Sequence, residues 1–188
     1  MEETFTHVRT MISIILGFSV AQLLKNGVKL IDHNKILTPY PLHLLWVVYS
    51  FLLIIHFWWW EARLKDVVSW NFLEYLFLIL YTAMYYALSV LIFPDSISEY
   101  KGFKDYFFSR KKWFFSFLIV IFITDFADTL LKGRDYFTTL HWEYPLRNAA
   151  HILLCIAGIR YSNIRFQYLL AILFILYEFI YIWRHYFV

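Results

Sequence analysis

One cysteine, five glycines, four prolines and 16% charged residues are all that this 188-residue chain carries of the residue types that most often reveal function. A lone Cys155 excludes an internal disulfide and any metal site built on several thiolates. The scarcity of glycine and proline leaves no low-complexity linker, and no glycine loop able to cradle a phosphate is present. Neither a His-Glu-x-x-His zinc helix nor a Gly-x-Ser-x-Gly nucleophile turn occurs. The chain therefore reads as a non-enzyme with no bound metal or cofactor. Soluble domains average about 25% charged residues, so 16% is low. Net charge is only +3 with its Lys and Arg scattered, which argues against nucleic acid as a partner.

What is present is apolar: 61% hydrophobic and 23% aromatic residues. Crossing a bilayer as a helix takes about 20 mostly apolar residues, and six stretches fit, at 8–31, 41–62, 69–93, 112–132, 145–162 and 164–187. The expected fold class is all-α: a polytopic membrane protein of six transmembrane helices. Ser19-Val20-Ala21 loosely matches a cleavage site, but Glu2 and Glu3 replace the basic start of a signal peptide, so the first segment reads as a retained helix. The Ile15–Leu24 run and the Trp-rich second segment resemble those of bacterial inner-membrane proteins, and that location is expected.

Short strings recur in order. Leu23-Leu24-Lys25-Asn26-Gly27 returns as Leu130-Leu131-Lys132-Gly133, Tyr40-Pro41-Leu42 as Tyr144-Pro145-Leu146, and the Tyr75 segment as the Tyr168 segment, at offsets of 107, 104 and 93. This reads as one membrane domain in two copies, repeat 1 about 8–93 and repeat 2 about 112–187, joined by a connector 94–111. Three crossings per copy make the second copy enter from the other side, so the copies would be inverted, a common plan of transporters. Lys and Arg number seven on the amino-terminal side and ten on the other, which leaves orientation open. The connector, with Tyr100, Phe103, Tyr106, Phe107 and Phe108 among Lys101, Lys104, Arg110, Lys111 and Lys112, reads either as an interfacial helix or as a solvated loop. Trp58, Trp59, Trp60, Trp70, Trp142 and Trp183 would form an aromatic belt at the amino-terminal side.

Polar residues within apolar segments mark the inward faces. In the sixth segment Gln167, Ala171, Phe174, Glu178, Tyr181 and His185 form one helical stripe, with Glu178 deep inside; the bland reading is a carboxylate held by Arg, His or Tyr of another helix. Asn148, His151, Cys155, Gly158 and Ser162 form a small, polar stripe suited to close packing, and His151 can also exchange protons. Gln22 shares a stripe with Ser19, Asn26 and Lys29, beside a small-residue face at Ser13, Gly17 and Ala21. Asp125 lies deeper than the Asp128–Lys132 pair. The repeat aligns Tyr85 with Glu178 and Glu74 with Gln167, so both halves would contribute to one site.

The expected function is a channel or transporter for a small ion or solute, protons included, using Glu178, Asp125, His151, Gln167, Tyr85, Glu74 and Gln22. Its partners would be the lipid bilayer, that ion or solute, and a second copy of the chain. One alternative is a non-transporting partner-binding, signalling or defence accessory. Another is a b-type haem protein, for which His43 and His56, 13 residues apart on one helix, face different ways and would need His151, His141 or His185 from elsewhere.

Overall fold

In the computed structural model, residues 2–32, 38–67 and 69–186 are described. Part of the expected 32–40 connection, with Lys35, and residue 187 lie outside them. The described residues form seven α-helices: α1 (Glu2–Asp32), α2 (Pro41–Trp60), α3 (Phe72–Leu91), α4 (Phe103–Leu131), α5 (Arg134–Thr139), α6 (Glu143–Arg160) and α7 (Ile164–Tyr186). Short 3-10 turns follow α2 at Glu61–Asp66 and precede α4 at Ile97–Glu99.

Local chemistry sets the boundaries. Pro41, whose fixed φ suits a first helical turn, starts α2. Asn71 starts α3 through a capping box: its Oδ1 accepts from the Leu73 and Glu74 amides at 2.9 and 3.0 Å, and its own amide donates to Glu74 Oε2 at 3.0 Å. Asn163 Oδ1 accepts from the Arg165 and Phe166 amides at the start of α7. Gly133, at φ 118°, separates α4 from α5 with a backbone that side chains beyond hydrogen rarely adopt.

Five helical stretches are long and apolar enough to cross a membrane: Thr4–Leu30, Pro41–Asp66, Phe72–Leu91, Phe103–Leu131 and Ile164–Tyr186. The chain is thus built as an integral membrane protein. α6 is not among them. Its 18 residues rise about 27 Å, close to the bilayer core, but its inward face carries Asn148 and His151 and its ends carry Glu143, Arg147 and Arg160. Internal polarity, rather than length, lowers its hydropathy.

The connector is corrected by the structure. α4 starts at Phe103, nine residues before the expected 112, and Phe103, Tyr106, Phe107 and Lys111 are buried. The aromatic-basic stretch is the first part of a packed helix, and its apolar side is taken up by the protein interior rather than by headgroups. Trp60 is likewise interior, stacked on Tyr144, while Trp58, Trp59, Trp142 and Trp183 are exposed as a belt requires.

Helices alternate in direction. Phe5 and Arg9 share one end of the bundle with Trp58–Lys65, and Leu30 shares the other with Phe93–Ile97 and Phe103. Lys132 bonds Glu61, so the last turns of α1 and α4 lie at opposite ends. That much follows from alternation. The two halves pack differently inside: α1 lies mainly along α3, α4 mainly along α6, and α2 lies along α7 across the middle.

The α4–α6 contact is close because Gly158 has no side chain. A Cβ there would stand 2.8 Å from the Phe115 ring and 3.0 Å from Leu170. Of the small polar stripe, Asn148, His151, Cys155 and Gly158 are buried, while Ser162, past the end of α6, is exposed. Beyond Gly158, Lys111 Nζ donates to the carbonyls of Gly158, Ile159 and Tyr161 at 2.9, 2.8 and 3.2 Å, and Gln167 Nε2 donates to those of Gly158 and Tyr161 at 2.9 and 2.6 Å. The last carbonyls of a helix have no partner within it, and here two side chains and one positive charge supply them.

Candidate functional site

Buried polar residues concentrate at the end of the bundle that holds residues 5–9, where α2, α3, α4, α6 and α7 converge. Glu178, on α7, is 2% exposed and accepts a hydrogen bond from His56 Nδ1 of α2. His56 Nε2 contacts the Tyr186 hydroxyl at 3.2 Å. Tyr186 lines an open vestibule of about 530 Å³ with Arg63, Lys65, Tyr136, Thr139 and His185. Burial pushes the Tyr136 hydroxyl up to about 12, against the pull of Lys132 and Arg63, so it stays a proton donor at neutral pH. Tyr186, His56 and Glu178 thus form a continuous polar line from vestibule to interior.

Asp125, on α4, collects a second set. Its carboxylate accepts from Tyr144 at 2.8 Å, Asn148 at 2.8 Å and Tyr81 at 3.2 Å, while Tyr85 contacts Tyr81 at 3.2 Å. Three helices are joined through this one side chain. Arg147 lines the same small cavity as Asp125 and His56, its guanidinium 4.5 Å above the Tyr181 ring. This cavity of about 20 Å³, the size that holds one water, is lined by His56, Asp125, Arg147, Tyr85 and Trp60 among others.

A third cluster adjoins these. Lys132 donates to Glu61 at 2.7 Å and to Asp128 at 2.5 Å, and all three side chains are at most 4% exposed. The expected i, i+4 pair is present, but as part of a buried triad that reaches across to the turn after α2. Two carboxylates face one ammonium in this buried triad.

Toward the opposite end the interior is filled by rings. Trp46 packs edge-on against Tyr49, Phe114, Phe115 and Phe174 at centroid distances of 5.1 to 5.7 Å. His151 stands between the two regions: its Nδ1 donates to the Arg147 carbonyl at 2.7 Å, and its ring lies against Phe122, Phe174 and Tyr177.

Of the residues singled out from sequence, Glu178, Asp125 and Tyr85 come together at this end, with His151 just behind. Gln167 caps α6 at the far end. Glu74 caps α3, and Gln22 is half-buried on α1 outside the cluster. Tyr81 and Tyr85 turn to Asp125 of α4 rather than to α7. Sequence reasoning missed His56, Tyr144, Asn148, Arg147 and the Glu61–Lys132 contact as members of one region. The signal for the triad existed in the Glu61 and Lys132 charges placed beside apolar helix ends, but pairing them needs the tertiary fold. His43 is held apart from this region: its Nε2 donates to the Ile92 carbonyl at 2.7 Å, with the ring against Phe93 and Phe103.

Comparison with protein families, with curated proteins and with solved structures finds no match for this chain.

Proposed function

We propose that this chain moves protons, alone or together with a small ion or solute, through its interior, with Glu178 and His56 as the proton-exchanging pair and Asp125 as a second ionisable station. One observation carries the reading: a buried imidazole–carboxylate pair joined through Tyr186 to an open vestibule. Such intramembrane ionisable residues are costly unless paired or hydrated, and they mark ion and proton pathways. Histidine titrates near neutral pH, which suits it to accept a proton from the vestibule. Arg147 balances charge between the two carboxylates, and the one-water cavity bridges His56 toward Asp125. The rings around Trp46 act as the closed gate, in the manner of a hydrophobic constriction.

In this reading α6 is the sixth span, α1–α3 and α4–α7 are inverted halves, and the membrane is a bacterial inner membrane. Proteoliposomes with an internal pH dye and an imposed potential test it. Wild-type protein should pass protons, and Glu178→Gln should abolish the signal, with His56→Gln and Asp125→Asn reducing it. Flux unchanged by Glu178→Gln and Asp125→Asn removes their roles; no flux of protons or common ions sinks the class.

The ring-filled interior favours a second reading, a non-transporting module that binds a protein partner as a signalling or defence accessory. A stable partner co-purifying with a flux-inactive protein would decide for it. The haem reading rests on the histidines alone, of which His43 lies apart from His56 and His151, and a visible absorption spectrum decides it.

A further inference from the structure

A groove of about 480 Å³ lies on the outer face between α1 and the end of α2. Its walls are apolar: Phe5, Ile12, Ile55, Trp58 and Trp59. Ile55, Trp58 and Trp59 are 39%, 49% and 64% exposed, so this wall belongs to the outer surface of the bundle rather than to its core. Two cations, Arg9 and Lys65, stand at the groove, both exposed. Among the described residues neither has an acidic partner, whereas the neighbouring Arg63 pairs with Asp66. The acid at the groove, Glu61, is 5% exposed and its charge is answered by Lys132. The groove therefore offers uncompensated positive charge beside an apolar wall.

We infer that this groove is a binding site for an anionic phospholipid of the surrounding leaflet, its phosphate between Arg9 and Lys65 and its acyl chain along Ile12, Ile55 and Trp58. Charge complementarity selects the headgroup, because basic residues at the membrane surface attract anionic lipids at about 1 kcal/mol each. The position selects the source. Tryptophans mark the level of the headgroups, and the apolar wall below them gives a chain-length contact that free phosphate cannot use. The site does not depend on transport, and its test reads binding alone.

Intact-protein mass spectrometry of the purified full chain, titrated in detergent with phosphatidylglycerol, phosphatidylcholine or inorganic phosphate, reads the site. One phosphatidylglycerol should be retained with a preference over phosphatidylcholine on the order of tenfold. Arg9→Gln/Lys65→Gln should lose that preference, while Arg160→Gln/Arg165→Gln, which removes the same charge at the other end, keeps it. Both pairs are exposed, and an unchanged circular dichroism spectrum verifies folding. Equal retention of the two lipids, a preference that survives in Arg9→Gln/Lys65→Gln, or equal binding of free phosphate overturns the proposal.

Discussion

At the scale of single residues, the interior of this protein is unusual for how much charge it holds. Lys132 answers two buried carboxylates, and removing one partner of a buried ionic set costs about 3–5 kcal/mol because the remaining charges are left uncompensated. Lys132→Met should therefore lower the thermal unfolding midpoint in detergent sharply. Arg184 makes a two-pronged contact with Glu143 at 2.7 and 3.1 Å, but it is exposed, and exposed pairs are worth about 0–1 kcal/mol. Arg184→Ala should move the midpoint little, and a larger effect than that of Lys132→Met would show the triad to be less important than its burial implies. Glu178 was recognisable in the sequence because a carboxylate deep in an apolar helix is rare. His56 was not, since nothing in an apolar run of Trp and Leu tells which helix a histidine faces.

At the scale of elements, spacing along a helix carried the reading well where a stripe had one chemical character. The Asn148–Ser162 stripe was legible as a packing face at Asn148, His151, Cys155 and Gly158, which are buried, but Ser162 is exposed; Gln167, Ala171, Phe174, Glu178 and Tyr181 are buried as an inward stripe requires, while His185 at its end is exposed. The start of α4 was not legible, because Phe103–Lys112 mixes aromatic and basic residues in a way that an interfacial helix and a packed amphipathic turn share. Gly158→Ala should cost about 1–3 kcal/mol by overpacking against Phe115. Phe115→Leu in the same chain should recover part of that loss in a thermal melt. Failure of the second change to help would mean that the helices separate rather than the ring yielding. Gly133→Ala should cost about 1–3 kcal/mol through backbone strain at φ 118°, a loss that no second-site side-chain change relieves.

At the scale of the whole molecule, the helices alternate end for end, and α6 is the long helix that falls outside the five apolar enough to cross a membrane. Single cysteines tell whether it crosses. Cys155 is fully buried and should stay silent toward a membrane-impermeant maleimide. Ser98→Cys and Asn163→Cys should then label from one side and Asp135→Cys from the other; Asn163→Cys labelling together with Asp135→Cys would mean that α6 returns without crossing. The alternation of α1, α2, α3, α4 and α7 was legible in the sequence as apolar stretches, and each of these five helices is long and apolar enough to cross a membrane. The recurring strings mark helix ends, whereas packing inside each half is decided by side chains such as Gly158, and the two halves pack differently.

The double cap on α6 has a mechanical consequence. Lys111 of α4 and Gln167 of α7 both grip the Gly158 and Tyr161 carbonyls at the end of α6, and Gly158 lets α4 press against that helix at the same turn. Three helices are thereby riveted at one point. Any rearrangement that opens the ring-filled half has to carry α4, α6 and the start of α7 as one lever, with its pivot beside Tyr161 and its long arm reaching to Asp125 and Glu178 at the other end.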